Sequence, residues 1–255
     1  MKPLLSDLRS GVLTLTLNRP DRANSFNTGM IGELQQVLEQ AEADSQVRCV
    51  VITGMGRVFS SGQDIDEMKR GEGLSYREHL EQTYHPLIIR IRRMGKPVLA
   101  AVNGPCAGAA FGLALACDLR IAHARAYFMV GFSGIALAPD SGVSYLLPKV
   151  IGLGRALECF YTNRPVPARL ALQWGIVSQV RGLSFGRLVS RTAALLAQGP
   201  AHAFALGKQA FNQSVLPNLE GALKQEGILQ DQAGRTLDHQ EGVAAFLEKR
   251  RPRFP

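Results

Sequence analysis

The run from Val98 to Asp118, Val-Leu-Ala-Ala-Val-Asn-Gly-Pro-Cys-Ala-Gly-Ala-Ala-Phe-Gly-Leu-Ala-Leu-Ala-Cys-Asp, joins a buried apolar strand through a turn of small residues to a tightly packed helix. Residues with little side chain let a ligand oxygen approach the main chain. The helix that follows adds the positive end of its dipole at the same point. Such a turn can hold a developing oxyanion. Small residues also serve plain helix–strand packing, so this run alone leaves both readings equally open.

A second segment, Thr53-Gly54-Met-Gly56-Arg57-Val-Phe-Ser60-Ser61-Gly62-Gln63-Asp64-Ile65-Asp66, follows another apolar strand and ends where a polar helix can begin, capped by Asp64 or Asp66. The loop pattern G-x-G-R-x-F-S-S-G-x-D, followed by K-P-V-x-A-A-V-N-G-x-x-x-G, resembles the crotonase (enoyl-CoA hydratase/isomerase) superfamily. The resemblance runs through most of the chain. It begins at Leu17-Asn18-Arg19-Pro20-Asp21-Arg22-Ala23-Asn24-Ser25, continues through Ile135 to Gly142 and Leu147 to Gly152, and ends with Glu241 to Phe254.

A chain of 255 residues, 46% of them hydrophobic, can bury a substantial core. Its apolar stretches break well short of the roughly 20 residues that cross a bilayer, and the opening residues lack the apolar region of a signal peptide, which predicts a cytosolic protein with no membrane partner. Cys49, Cys106, Cys117 and Cys159 sit in apolar settings without C-x-x-C spacing, so they read as buried free thiols. The net charge of +8 admits nucleic acid, a membrane surface or an anionic metabolite. Much of the excess lies in two clusters, Arg90/Arg92/Arg93/Lys96 and Lys249-Arg250-Arg251-Pro252-Arg253, without the interleaved aromatics that stack bases. The first reads as a solvated helix face, and the resemblance implies that the second meets the phosphates of coenzyme A.

Strand patterns at Gly11–Asn18, Arg48–Thr53, Pro97–Val102 and Asp118–Ala122 alternate with helical ones at Thr28–Ala43, Tyr76–Met94 and Ala109–Ala116, with a loop between Thr53 and Tyr76. Short strands are expected near Tyr127–Val130 and Val177–Val180. From Phe185 onward only helical stretches follow, split at Gly199-Pro200, Pro217 and Gly234-Arg235. The class is α/β, with a boundary placed near Gly199. The resemblance implies a ββα spiral forming a catalytic, CoA-binding core over residues 1–198. It makes residues 199–255 an all-helical region that packs subunits into trimers or dimers of trimers.

Other motifs are missing. Gly54-Met-Gly56 lacks the third glycine of a dinucleotide fingerprint, and neither a Walker loop nor a G-x-S-x-G elbow occurs. The five histidines have no metal-ligand spacing and read as surface or structural residues.

By resemblance, the oxyanion donors are the peptide N–H groups of Gln63 and Ala109, whose side chains need only stay clear. Hydratases of the superfamily carry two glutamates that hold one water. Their positions here are Gly112 and Phe132, so simple hydration lacks an evident acid and base. Asp140 offers a single carboxylate that can carry a proton between two carbons of an acyl chain, although a helix cap is its plainer role. Burial against Phe128, Phe132 and Leu137 is expected to raise its pKa toward neutrality. Ser25-Phe-Asn27, Ser61-Gly-Gln63-Asp64, Phe128 to Asp140 and Glu241 to Arg250 are similar to the subgroup of ring-1,2-epoxyphenylacetyl-CoA isomerases. The subgroup departs after the aspartate, where this chain has Ser141-Gly-Val-Ser144.

The resemblance places coenzyme A against Arg22, Ala23, Ser61, Gln63, Asp64 and Ile65. It adds Phe246 and Lys249 from the C-terminal helix, of this chain or a neighbouring one. It implies an acyl-CoA isomerase acting on an enoyl- or phenylacetyl-type thioester, with no metal and no cofactor beyond the substrate's own CoA. Hydratase, dehalogenase or C–C hydrolase chemistry, or a silent or RNA-binding role, are the alternatives.

Overall fold

The computed structural model of the protein describes residues 2–70 and 74–254. Strands β1 (Leu4–Arg9), β2 (Val12–Leu17), β3 (Cys49–Gly54), β4 (Val98–Val102), β6 (Leu119–His123) and β9 (Gln179–Arg181) form one sheet in the order β1-β2-β3-β4-β6-β9. The β1–β2 pair is an antiparallel hairpin, and every later pairing in this sheet is parallel. A smaller sheet joins β5 (Cys106–Ala107), β7 (Tyr127–Met129) and β8 (Val166–Pro167). Between the strands run α1 (Thr28–Ala43), α2 (Ile65–Arg70), α3 (Tyr76–Gln82), α4 (Tyr84–Arg93) and α5 (Ala109–Ala116). Then come α6 (Val143–Ile151), α7 (Leu153–Thr162), α8 (Ala168–Gln173), α9 (Phe185–Gln198), α10 (Ala201–Val215), α11 (Leu219–Gly234) and α12 (Leu237–Leu247). This is the expected mixed α/β architecture with a helical C-terminal part.

Every residue of β4 and α5 is buried, as a strand and helix apolar on all sides must be. The helix expected over Tyr76–Met94 is two. It breaks at Thr83 (φ −113°, ψ −75°) because Pro86 has no N–H to offer the preceding turn, and α4 restarts with that proline in its first turn. Strand β1 escaped the sequence pattern because it is an edge strand with only Leu4 buried, so it shows no alternation. The expected loop after Thr53 contains α2, and its residues 71–73 lie outside the described residues. All four cysteines are free and buried.

The first basic cluster is not merely a solvated face. Arg92 donates to Asp118 Oδ1 (3.2 Å), to the Ala116 carbonyl (3.0 Å) and to Asn212 Oδ1 (2.6 Å). Lys208 Nζ, from α10, reaches Asp118 Oδ2 at 2.8 Å, and the same oxygen accepts the Val98 N–H at 2.8 Å. Lys96 donates to the carbonyls of Ala41 and Asp44. Asp118 therefore ties the start of β4 and the end of α5 to α4 and α10. With the Lys208 side chain 9% exposed, losing the carboxylate strands two poorly hydrated cations. Asp118→Ala is expected to cost about 3–5 kcal/mol of stability and to lower the melting temperature by roughly 10 °C, as measured by calorimetry.

Candidate active site

Two loops meet above the C-terminal ends of β3 and β4. The N–H groups of Phe59 and Ser60 donate to the Pro105 carbonyl (3.0 and 3.2 Å), and the Ala107 N–H returns to the Ser60 carbonyl (3.1 Å). Asn103 locks the junction. Its amide donates to the Gly54 and Gly56 carbonyls (2.8 and 3.0 Å), and its oxygen accepts the Gly54 N–H at 3.1 Å. Gly62 carries φ +90°, and a Cβ there would lie 2.8 Å from the Ala107 carbonyl and 3.3 Å from the Ala109 nitrogen. Only glycine permits this approach. It brings the first loop beside the start of α5. Among the described residues, neither the Gln63 nor the Ala109 N–H has an acceptor within the protein.

These loops open onto a cavity of about 790 Å³. Its more exposed lining comes from Arg22, Ala23, Ser61, Ile65 and Asp66 and, from the C-terminal part, Phe246, Lys249, Arg250 and Arg251. Its buried end is lined by Leu80, Tyr84, Phe132, Leu137, Asp140 and Gln230. Gln63, Asp64, His79 and Ala109 line the cavity as well. All ten site residues expected from the sequence thus line one cavity, and Phe246 and Lys249 reach it from this chain itself. Among the described residues, no group of three or more His, Cys, Asp or Glu side chains is arranged to hold a metal ion.

Local contacts explain most of these positions. Asp64 caps α2 by accepting the Asp66 N–H (3.1 Å) and is paired with Arg19 at 2.8 Å. Burial alone would raise the Asp64 carboxyl, but the Arg19 guanidinium and the Asp66 and Glu67 N–H groups outweigh it, so its pKa lies below the ordinary range. Arg22 pairs with Asp66 at 2.8 Å, both largely exposed. In the tail, Arg250 is engaged by Glu241 and Glu248.

The Gln63 side chain is not idle, contrary to the sequence expectation. Its Oε1 accepts the Tyr84 hydroxyl and sits 3.4 Å from His79 Nε2. Truncating Gln63 would leave a fully buried phenol without its acceptor. Tyr84 has a pKa well above its ordinary value, through burial and then the nearby Asp140 charge, so it stays a donor. Burial lowers the pKa of His79, which favours the neutral ring. Neither residue carried a motif signal. They come from α3 and α4, whose only sequence mark is amphipathic spacing.

Asp140 is 7% exposed and does not cap α6. That duty falls to Glu226 of α11, which accepts the Gly142 N–H (2.8 Å), the Ser144 N–H (2.9 Å) and the Ser144 hydroxyl. Asp140 Oδ1 instead accepts the Ser141 hydroxyl (2.6 Å), and Oδ2 accepts the Gln230 amide (2.8 Å). Burial pushes its carboxyl up to about 7 against the pull of these two donors. Phe132 and Leu137 share the cavity with it, whereas Phe128 packs at a tilt against Phe111 and is not part of the lining. At Gly112 a Cβ would lie 2.3 Å from the Ser141 carbonyl oxygen and 2.8 Å from the Ser141 Cβ. The turn that carries Asp140 thus fills the space a glutamate at 112 would need.

Residues 7–255 match the model of the enoyl-CoA hydratase/isomerase family. The chain is 40% identical to the 1,2-epoxyphenylacetyl-CoA isomerase of Escherichia coli strain K12, covering 100% of this chain and 98% of the relative. It is 39% identical to a probable enoyl-CoA hydratase of Rhodobacter capsulatus, covering 97% and 96% respectively. Among solved structures, an enoyl-CoA hydratase from Mycobacterium avium subsp. paratuberculosis superposes with a TM-score of 0.91 at 37% identity, covering 99% of this chain and 98% of that one. Crotonase architecture, matched loops and full-length similarity place the protein in the enoyl-CoA hydratase/isomerase family.

Proposed function

We propose that the protein is an isomerase of acyl-CoA thioesters, moving a double bond in an enoyl chain or opening a ring epoxide in a phenylacetyl-type acyl group. The Gln63 and Ala109 N–H groups hold the thioester oxygen as it becomes an enolate, each contributing about 3–4 kcal/mol in a water-poor site. Asp140, as carboxylate, takes the α-proton of a 3-enoyl thioester. The electron pair moves onto the oxyanion, and collapse of the dienolate returns the proton from Asp140 to the γ-carbon. The product is the 2-enoyl thioester, with no net gain or loss of atoms. No metal or cofactor beyond the substrate's CoA enters this sequence. CoA lies against Arg22, Ala23, Ser61, Asp64, Ile65, Phe246 and Lys249.

The observation that carries this reading is the contact between Gly112 and Ser141. It removes one hydratase glutamate position, Phe132 occupies the other, and Asp140 is left as the lining carboxyl poised near neutrality. Leu195 of α9 and Leu206, Phe211 and Val215 of α10 are exposed apolar side chains, which supports assembly into trimers.

Incubation with 3-enoyl-CoA and trans-2-enoyl-CoA in deuterated water tests the reaction. Interconversion of the two, with deuterium entering at the α- or γ-carbon, is expected. Accumulation of 3-hydroxyacyl-CoA as the main product would instead establish a hydratase.

A further inference from the structure

Helix α11 contributes two side chains one turn apart to the turn that carries Asp140. Glu226 takes the Gly142 and Ser144 donors, and Gln230, four residues on, takes Asp140 itself. Gln230 is 2% exposed and lines the cavity. Its Nε2 donates to Asp140 Oδ2 at 2.8 Å, while among the described residues its Oε1 has no hydrogen-bond partner. A buried amide left half satisfied is costly, so an unspent acceptor beside a proton-carrying carboxyl calls for a use.

The geometry points to Gln230 as a positioning residue that keeps Asp140 hydrogen-bonded in both of its protonation states by turning its amide. With Asp140 ionised, Nε2 faces Oδ2 and donates. Once Asp140 has taken up a proton, the carboxylic acid is itself a donor, and a half-turn about the final torsion of Gln230 presents Oε1 as acceptor. That torsion is broad and nearly two-fold, so the turn needs no movement of α11. An amide is the uncharged side chain that offers both roles in one place. The neighbours that feel Asp140 cannot substitute. Glu226, whose carboxyl burial and then the Asp140 charge push up to about 8, is already engaged by three donors, the Tyr84 hydroxyl is spent on Gln63, and the Ser141 hydroxyl serves the other carboxyl oxygen. His79, on α3, is directed to Gln63.

The catalytic value of this arrangement rests on Asp140 being the proton carrier proposed above, but its test does not. Asp140 is titrated by carbon-13 NMR in substrate-free protein labelled at aspartate carboxyl carbons, its signal assigned by its loss in Asp140→Asn. In Gln230→Met, which keeps length but removes donor and acceptor, the midpoint is expected to rise by less than about one pH unit, because the bond lost from the carboxylate is charge-assisted and stronger than the one lost from the neutral acid. The turn itself is read on the Gln230 side-chain amide by nitrogen-15 NMR, its signals assigned by their loss in Gln230→Met: as Asp140 takes up its proton, the Nε2 proton that faces Oδ2 is expected to lose its hydrogen-bonded shift and its protection from solvent exchange with the same midpoint as the Asp140 carboxyl. An amide that keeps both through that midpoint, or a Gln230→Met midpoint at or below that of the natural protein, overturns the assignment. Should Asp140→Asn retain full turnover, the proton-carrier reading fails while the titration result for Gln230 stands.

Discussion

Asp140→Asn is expected to lower kcat for 3-enoyl-CoA isomerisation about a thousandfold while leaving KM nearly unchanged. Removing a positioned general base typically costs 10²- to 10⁴-fold, and asparagine fills the same volume and can still accept the Ser141 hydroxyl. Because the carboxyl must be ionised to take the first proton, kcat/KM of the natural protein should rise with pH through an inflection near the Asp140 value of about 7. The asparagine variant should show no such inflection.

Stability runs the other way. The folded-state pKa lies above the ordinary 3.8, so the proton is held more tightly in the folded protein. The stabilisation that this gives is fully present below pH 3.8 and is lost as pH rises through about 7. At pH 8 the asparagine variant should therefore melt at a higher temperature than the natural protein. A variant both active to within tenfold and no more stable at pH 8 would remove Asp140 from the chemistry.

Ala109→Pro should abolish isomerisation with little loss of fold. Ala109 is the first residue of α5, where proline suits the helix and the N–H has no intrahelical partner. The substitution removes that donor and sets a ring carbon in its direction. Losing one such donor costs about 10²- to 10³-fold in kcat, and the ring adds a steric block to the thioester oxygen. Steady-state kinetics beside a circular-dichroism melt distinguishes the outcomes. Near-normal kcat in a folded variant would show that the oxygen is held elsewhere.

Much of this site was legible because it is made of backbone. Loops that present N–H groups need small residues at set positions, and Gly62, Gly108 and the alanines after it write that need into the chain. The apolar runs that precede the two loops also marked β3 and β4, and the small and apolar residues after Gly108 marked α5. The helical C-terminal part was visible through its breaks at Gly199-Pro200, Pro217 and Gly234. What escaped was built from single side chains distant in sequence. Gln230 lies 90 residues from Asp140 and Glu226 lies 84 from Gly142, so no local pattern joins them. Tyr84 and His79 looked like ordinary helix residues until α3 and α4 packed against the first loop.

The sequence by itself determined the α/β class and the two small-residue loops, because each depends on residue size and polarity at neighbouring positions, and its resemblance to hydratases marked Gly112 and Phe132 as the places where their two glutamates are missing. Only the tertiary structure decided that Asp140 is a buried carboxyl free of capping duty, since that follows from Glu226 reaching the start of α6 first. It alone also showed why Gly112 must stay glycine. The Ser141 backbone occupies the space, and contact between two segments that are far apart along the chain is a property of packing.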